Sequence, residues 1–162
     1  MKPWWLLASA ALLTAAAPDA APVVATDTGQ VRGAMADAVE AFLAIPYAAP
    51  PVGALRWRAP QPAAHWSGVR EAGAIGPDCI QAREASDTRP MAEDCLTANV
   101  WRPAGHRGAA LPVVVWIHGG AYVAGGSSDP QTRGEAFAHD GIVAVTFNYR
   151  LGRLGFFGFP AL

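Results

Sequence analysis

The chain has 162 residues, 52% of them hydrophobic and 15% charged, and a formal net charge of −1. That balance excludes a disordered chain and fits one globular domain with enough apolar residues for a core. The positive residues are Lys2 and eleven arginines scattered from Arg32 to Arg153 with no basic block, which excludes a nucleic-acid surface as well.

Residues 1–17 combine a positive charge at Lys2, an apolar run over 4–13 and small residues over 14–17. This is the layout of a secretory signal peptide, with cleavage expected after Ala16 or Ala17. The apolar run is too short to span a bilayer, which takes roughly 20 residues. A secreted or periplasmic location follows, with the folded domain over 22–162. Its first predicted element is an antiparallel hairpin, residues 23–25 and 30–33 flanking Thr26, Asp27, Thr28 and Gly29. A strand over 39–45 comes next, closed by Pro46. From 48 to 77 the chain holds Pro50, Pro51, Pro60, Pro62 and Pro77. With no regular period, this stretch reads as an irregular apolar covering layer anchored by Trp57 and Trp66.

Cys79 and Cys95 enclose a polar segment containing Ser86, Asp87, Thr88, Arg89 and Pro90. In an exported chain an intramolecular disulfide is expected, with two unpaired buried thiols as the alternative. Two cysteines without a neighbouring ligand at the right spacing do not make a zinc site, so no metal is expected. A strand over 96–101 and a surface turn over 103–110 follow. Then come a strand over 113–117, a short helix over 134–139 and a strand over 142–147, a βαβ unit with two parallel strands. The last strand is expected to leave an unpaired apolar edge, as in the first part of a larger sheet.

Residues 113–117 are all apolar, the pattern of a strand covered on both faces in a parallel sheet. Ligands of such sheets sit at the carboxyl ends of strands, and there His118, Gly119, Gly120 and Ala121 allow the main chain a close approach. The turn carries no charge and no lysine, so it reads as a device for aiming backbone N–H groups at a negative charge. The turn that presents a nucleophilic serine, G-x-S-x-G, is absent from the 162 residues. Ser127 and Ser128 lack the required second glycine and are not nucleophile candidates. His118 is expected to order the loop, His139 to lie at a helix end, and His65 and His106 in surface loops.

Four segments carry a resemblance: IPYAAPPVGALRWRAPQP (45–62), EDCLTANVW (93–101), HGGAYVAGG (118–126) and NYRLGRLGFF (148–157). In order and spacing they closely resemble the amino-terminal third of type-B carboxylesterases, the α/β-hydrolase family that also holds the cholinesterases. The resemblance implies an α/β chain with the α/β-hydrolase fold, amino-terminal part only: antiparallel lead-in strands followed by a βαβ unit of the central sheet. It implies hydrolysis of small carboxylic esters by a Ser-Glu-His triad, with no cofactor. The N–H groups of Gly120 and Ala121 would face the oxyanion, and Gly119 would permit the turn. Nucleophile, acid and base are all outside this chain, so the 162 residues alone are expected to be inactive and truncated. Cys79 and Cys95 match the first family disulfide, and Arg56 and Glu93 match a buried ion pair that serves folding. Ala121 stands where many members have a third glycine, without consequence for a main-chain donor. Ala92, Thr97 and Ala98 are further small departures. A competing class is a binding or adhesion protein that keeps the scaffold and has lost the serine, or a gene remnant. The intact HGGA turn favours the enzyme.

Overall fold

The computed structural model describes residues 21–82, 86–106, 108 and 110–158, so the leader expected over 1–17 lies outside the described residues. The hairpin is present: β1 (Val23–Thr26) and β2 (Gly29–Arg32) pair antiparallel. Thr26 closes it, its hydroxyl donating to the Gly29 carbonyl at 2.7 Å. The chain runs on into β3 (Ala34–Ala36) and the long β4 (Val39–Pro46), again antiparallel. The proline-rich segment then crosses back over the hairpin. Trp66 pins it there, its indole N–H donating to the Gln30 carbonyl at 2.8 Å. A short strand, β5 (Val69–Glu71), joins β2 in parallel. Three residues are too few to show a period, which is why the sequence reads as irregular here. Trp57 anchors less than expected: it is 46% exposed, held by its indole N–H on the Arg153 carbonyl.

Cys79 and Cys95 form a disulfide. The loop it closes is not wholly irregular, since β6 (Asp78–Cys79) and β7 (Met91–Ala92) pair in parallel. Beyond it, β8 (Thr97–Pro103) lies antiparallel to β4, with a bulge between Phe42 and Ile45. At the bulge Ala44 takes a φ of 54°, and its N–H donates to the Asn99 Oδ1 atom at 2.9 Å. A bulge removes a main-chain donor from the ladder. The buried amide of Asn99 supplies the partner that the opposite strand cannot.

The βαβ unit follows as β9 (Val113–Trp116), α1 (Glu135–His139) and β10 (Val143–Phe147), the two strands parallel and adjacent. A one-turn helix, α2 (Gly152–Gly155), was not legible in the sequence. The main sheet runs β3-β4-β8-β10-β9. Trp101 on β8 is fully buried and packs with Val39, Leu43, Ala138 and Ala144. Gly134 lets α1 approach: a Cβ there would lie 2.7 Å from the Trp101 ring. A second cluster joins Leu96, Leu151, Ala48 and the disulfide, beneath Tyr149.

Two expectations need correction. Residues 113–117 are not covered on both faces: β9 is the outermost strand, and Val113, Val115 and Ile117 are 61%, 54% and 65% exposed. The open edge therefore falls on β9. β10, the later strand, is paired on both sides. Apolar composition marks a strand suited to burial, but burial itself needs neighbours, and among the described residues none lies beyond β9.

Candidate functional site

The site begins where β9 ends. His118 is buried and its ring stacks on Tyr149, with centroids 4.2 Å apart and planes 9° from parallel. Its Nδ1 atom lies 2.9 Å from the Gly119 carbonyl, and Tyr149 donates its hydroxyl to the His118 carbonyl at 2.6 Å. Burial, and secondarily the nearby Tyr122, raises the Tyr149 phenol above its ordinary pKa, so it remains a donor through the neutral range. His118 thus orders the loop from beneath, its Nδ1 engaged with Gly119 and its Nε2 buried without a partner among the described residues.

Three successive residues then take left-handed backbone: Gly120 at φ 115°, Ala121 at 52° and Tyr122 at 63°. The turn is closed by the N–H groups of Val123 and Ala124, which both donate to the Gly120 carbonyl at 3.0 Å. Left-handed backbone at non-glycine residues stores about 1–3 kcal/mol each and persists only where its surroundings hold it. Among the described residues the N–H groups of Gly120 and Ala121 have no acceptor, and both residues are exposed. The arrangement therefore offers two adjacent donors to an incoming acceptor.

The need for glycine falls differently from the expectation. At Gly119 a Cβ would meet nothing within 4 Å, whereas at Gly120 it would lie 1.8 Å from the Ala124 carbonyl oxygen. Gly120 is therefore the residue the turn requires. Gly125 and Gly126 are equally confined, a Cβ reaching 2.4 Å from the Gly119 oxygen and 2.0 Å from Asp78 Oδ1 respectively.

A buried polar layer supports the turn. Asn148 accepts from the Ser127 N–H at 2.8 Å and donates to the Pro77 carbonyl at 2.9 Å. Asn99 donates to the hydroxyls of Ser127 and Thr146, both at 3.1 Å. Asp78, fully buried, accepts from the N–H and hydroxyl of Ser128 and lies 3.4 Å from Arg89. Both serines are held in structural hydrogen bonds. Sequence reasoning missed Asn99, Asn148, Asp78 and Gln81 as parts of the site. The available signal was polar residues standing next to apolar strands.

Arg56 and Glu93 pair through two hydrogen bonds, the second at 2.6 Å. The pair is not buried as expected, its side chains being 43% and 19% exposed. Hydrogen bonding to Arg56 holds the Glu93 carboxyl below the usual carboxylate range. His65 and His139 lie apart at the surface. No group of three or more His, Cys, Asp or Glu among the described residues could hold a metal ion, and no helix among them is long and apolar enough to cross a membrane.

A mixed sheet with antiparallel lead-in strands, a βαβ unit and an exposed N–H turn at a strand's carboxyl end defines the amino-terminal part of an α/β-hydrolase fold. A solved PNB esterase superposes with a TM-score of 0.81 at 39% identity, over 86% of this chain and 30% of that one. The sequence matches the carboxylesterase family over residues 20–160, and the chain belongs to that family. It is similar to fumonisin B1 esterase of Sphingopyxis macrogoltabida, 44% identical over 162 residues, covering 98% of this chain and 30% of that protein. Para-nitrobenzyl esterase of Bacillus subtilis (strain 168) is 41% identical over 140 residues, covering 83% of this chain and 28% of that protein. The chain thus spans about three-tenths of the length of the curated relatives it matches.

Proposed function

We propose that residues 118–126 form the oxyanion-binding turn of a serine carboxylic ester hydrolase acting on small-molecule esters. When a serine hydroxyl attacks an ester carbonyl, the carbonyl carbon becomes tetrahedral and its oxygen gains negative charge. That oxygen would accept from the N–H groups of Gly120 and Ala121. Preorganised donors of this kind are worth about 3–4 kcal/mol each in transition-state stabilisation. One observation carries the reading: the exposed N–H groups of Gly120 and Ala121 have no acceptor among the described residues, in a turn whose Gly120 and Tyr122 carbonyls and Val123 and Ala124 N–H groups are hydrogen-bonded. The chemistry drawn on these donors calls for no metal or organic cofactor. Residues 1–17 would act as an export signal, leaving 22–162 as part of the hydrolase domain in a secreted or periplasmic protein.

None of the 162 residues lies in a G-x-S-x-G turn. The chain by itself is therefore expected to hydrolyse no short-chain aryl ester above the rate of boiled protein. Turnover that vanishes in a Gly120→Pro variant would overturn the absence of the nucleophile. The donor role is tested by titrating the chain with a tetrahedral aryl phosphonate and following amide resonances. Shifts centred on Gly120 and Ala121 are expected; saturable shifts that leave both unmoved would sink the assignment.

A further inference from the structure

A side chain of the loop closed by the disulfide reaches the donor turn. Gln81, two residues after Cys79, accepts from the Gly125 N–H at 2.7 Å and donates to the Gly125 carbonyl at 2.6 Å. A primary amide that pairs with both main-chain groups of one residue acts as a strand partner would, fixing that residue's orientation as well as its position. The same amide donates to the Cys79 carbonyl at 3.1 Å, so it is itself oriented from the disulfide end.

Gly125 in turn packs against the peptide that carries the first donor. A Cβ on Gly125 would fall 2.4 Å from the Gly119 oxygen and 2.5 Å from His118 Nδ1, so the Gly125 main chain lies directly against the Gly119 carbonyl. That carbonyl and the Gly120 N–H belong to one planar peptide unit. Whatever fixes the oxygen therefore aims the N–H.

We propose that Gln81 is a positioning residue for the Gly120 donor, acting through Gly125 and the Gly119–Gly120 peptide. The role in catalysis rests on reading the turn as an oxyanion site. The coupling itself does not, and its test reads the turn's own amides.

The test is site-resolved amide exchange on the oxidised 162-residue chain, each rate taken relative to the unfolded rate at the same pH. Val123 and Ala124 report turn closure, because both donate to the Gly120 carbonyl. Val145, in the middle of β10, reports the sheet. In Gln81→Met, which keeps length and loses all three side-chain hydrogen bonds, protection at Val123 and Ala124 is expected to fall roughly tenfold while Val145 is unchanged. Loss at Gly125 with Val123 and Ala124 intact would overturn the proposal. Should the sheet loosen too, Gln81→Glu decides. Its carboxylate accepts but cannot donate, and protonation restores the donor. Protection at Val123 and Ala124 should therefore recover as pH falls from about 7 to about 4. Protection that does not respond to pH in that variant overturns the role.

Discussion

The turn over 118–126 and the polar layer beneath it are built from similar small and polar residues and use them in opposite ways. In the layer, Asn148 has its side-chain oxygen and nitrogen both engaged, and its main-chain N–H and carbonyl are taken by Thr97 and Tyr47. In the turn, the N–H groups of Gly120 and Ala121 have no acceptor among the described residues. A donor left open can hold its direction only if the groups around it cannot move. Rigidity in the layer is what makes openness in the turn useful, and it resides in hydrogen bonds that touch no ligand.

The sharpest way to break this contrast is at Gly120. Gly120→Ala places a methyl 1.8 Å from a main-chain oxygen at φ 115°, and backbone cannot move aside as a flexible side chain can. A loss of about 3–5 kcal/mol is expected in denaturant unfolding. Less than about 1 kcal/mol would mean that the turn relaxes freely and that its geometry is not held.

Attacking the layer instead should cost less. Asn148→Ala leaves the Ser127 N–H and Pro77 carbonyl unpaired in the interior, for about 2–3 kcal/mol by the same measurement. The contrast is sharpened if that variant also shifts the Gly120 and Ala121 amide resonances. Unmoved resonances would show that the turn holds its shape without the layer.

The smallest effect belongs to the rim. Because Arg56 lowers the folded-state pKa of Glu93, the unfolded chain binds more protons around the ordinary glutamate value of about 4.3. The pair's contribution is thus present above that pH and lost as pH falls through the lowered folded value. Glu93→Gln is expected to flatten this part of the stability–pH curve and to change little at neutral pH, where an exposed pair is worth little. An unchanged acid limb would remove the pair from any role in stability.

Much of the architecture was legible because it follows from local pattern. The hairpin shows in Thr26 to Gly29, the βαβ unit in its two apolar strands, and the donor turn in His118, Gly119, Gly120 and Ala121. What was not legible depends on contacts distant in sequence. Glycine letters do not say which residue takes left-handed backbone, so Gly119 was given a task that steric space assigns to Gly120. The apolar run over 113–117 implies burial, but exposure is decided by what lies beyond the edge of the sheet. Asn99 and Asn148 were visible only as letters in motifs, since their partners Ala44, Ser127 and Pro77 are far away along the chain.

The segment after β10 holds the turn at its start and its middle: the Tyr149 hydroxyl binds the His118 carbonyl, and the Gly152 N–H binds the Tyr122 carbonyl at 2.7 Å. Both ties come from residues made later than the turn itself. During synthesis Asp78 and Gln81 leave the ribosome before the glycines they contact, and Tyr149 and Gly152 leave it after the turn they tie. The ties from Tyr149 and Gly152 can form only once the chain has run through β10, which lies between β8 and β9. Part of the turn's geometry therefore rests on long-range contacts, which form more slowly than local ones.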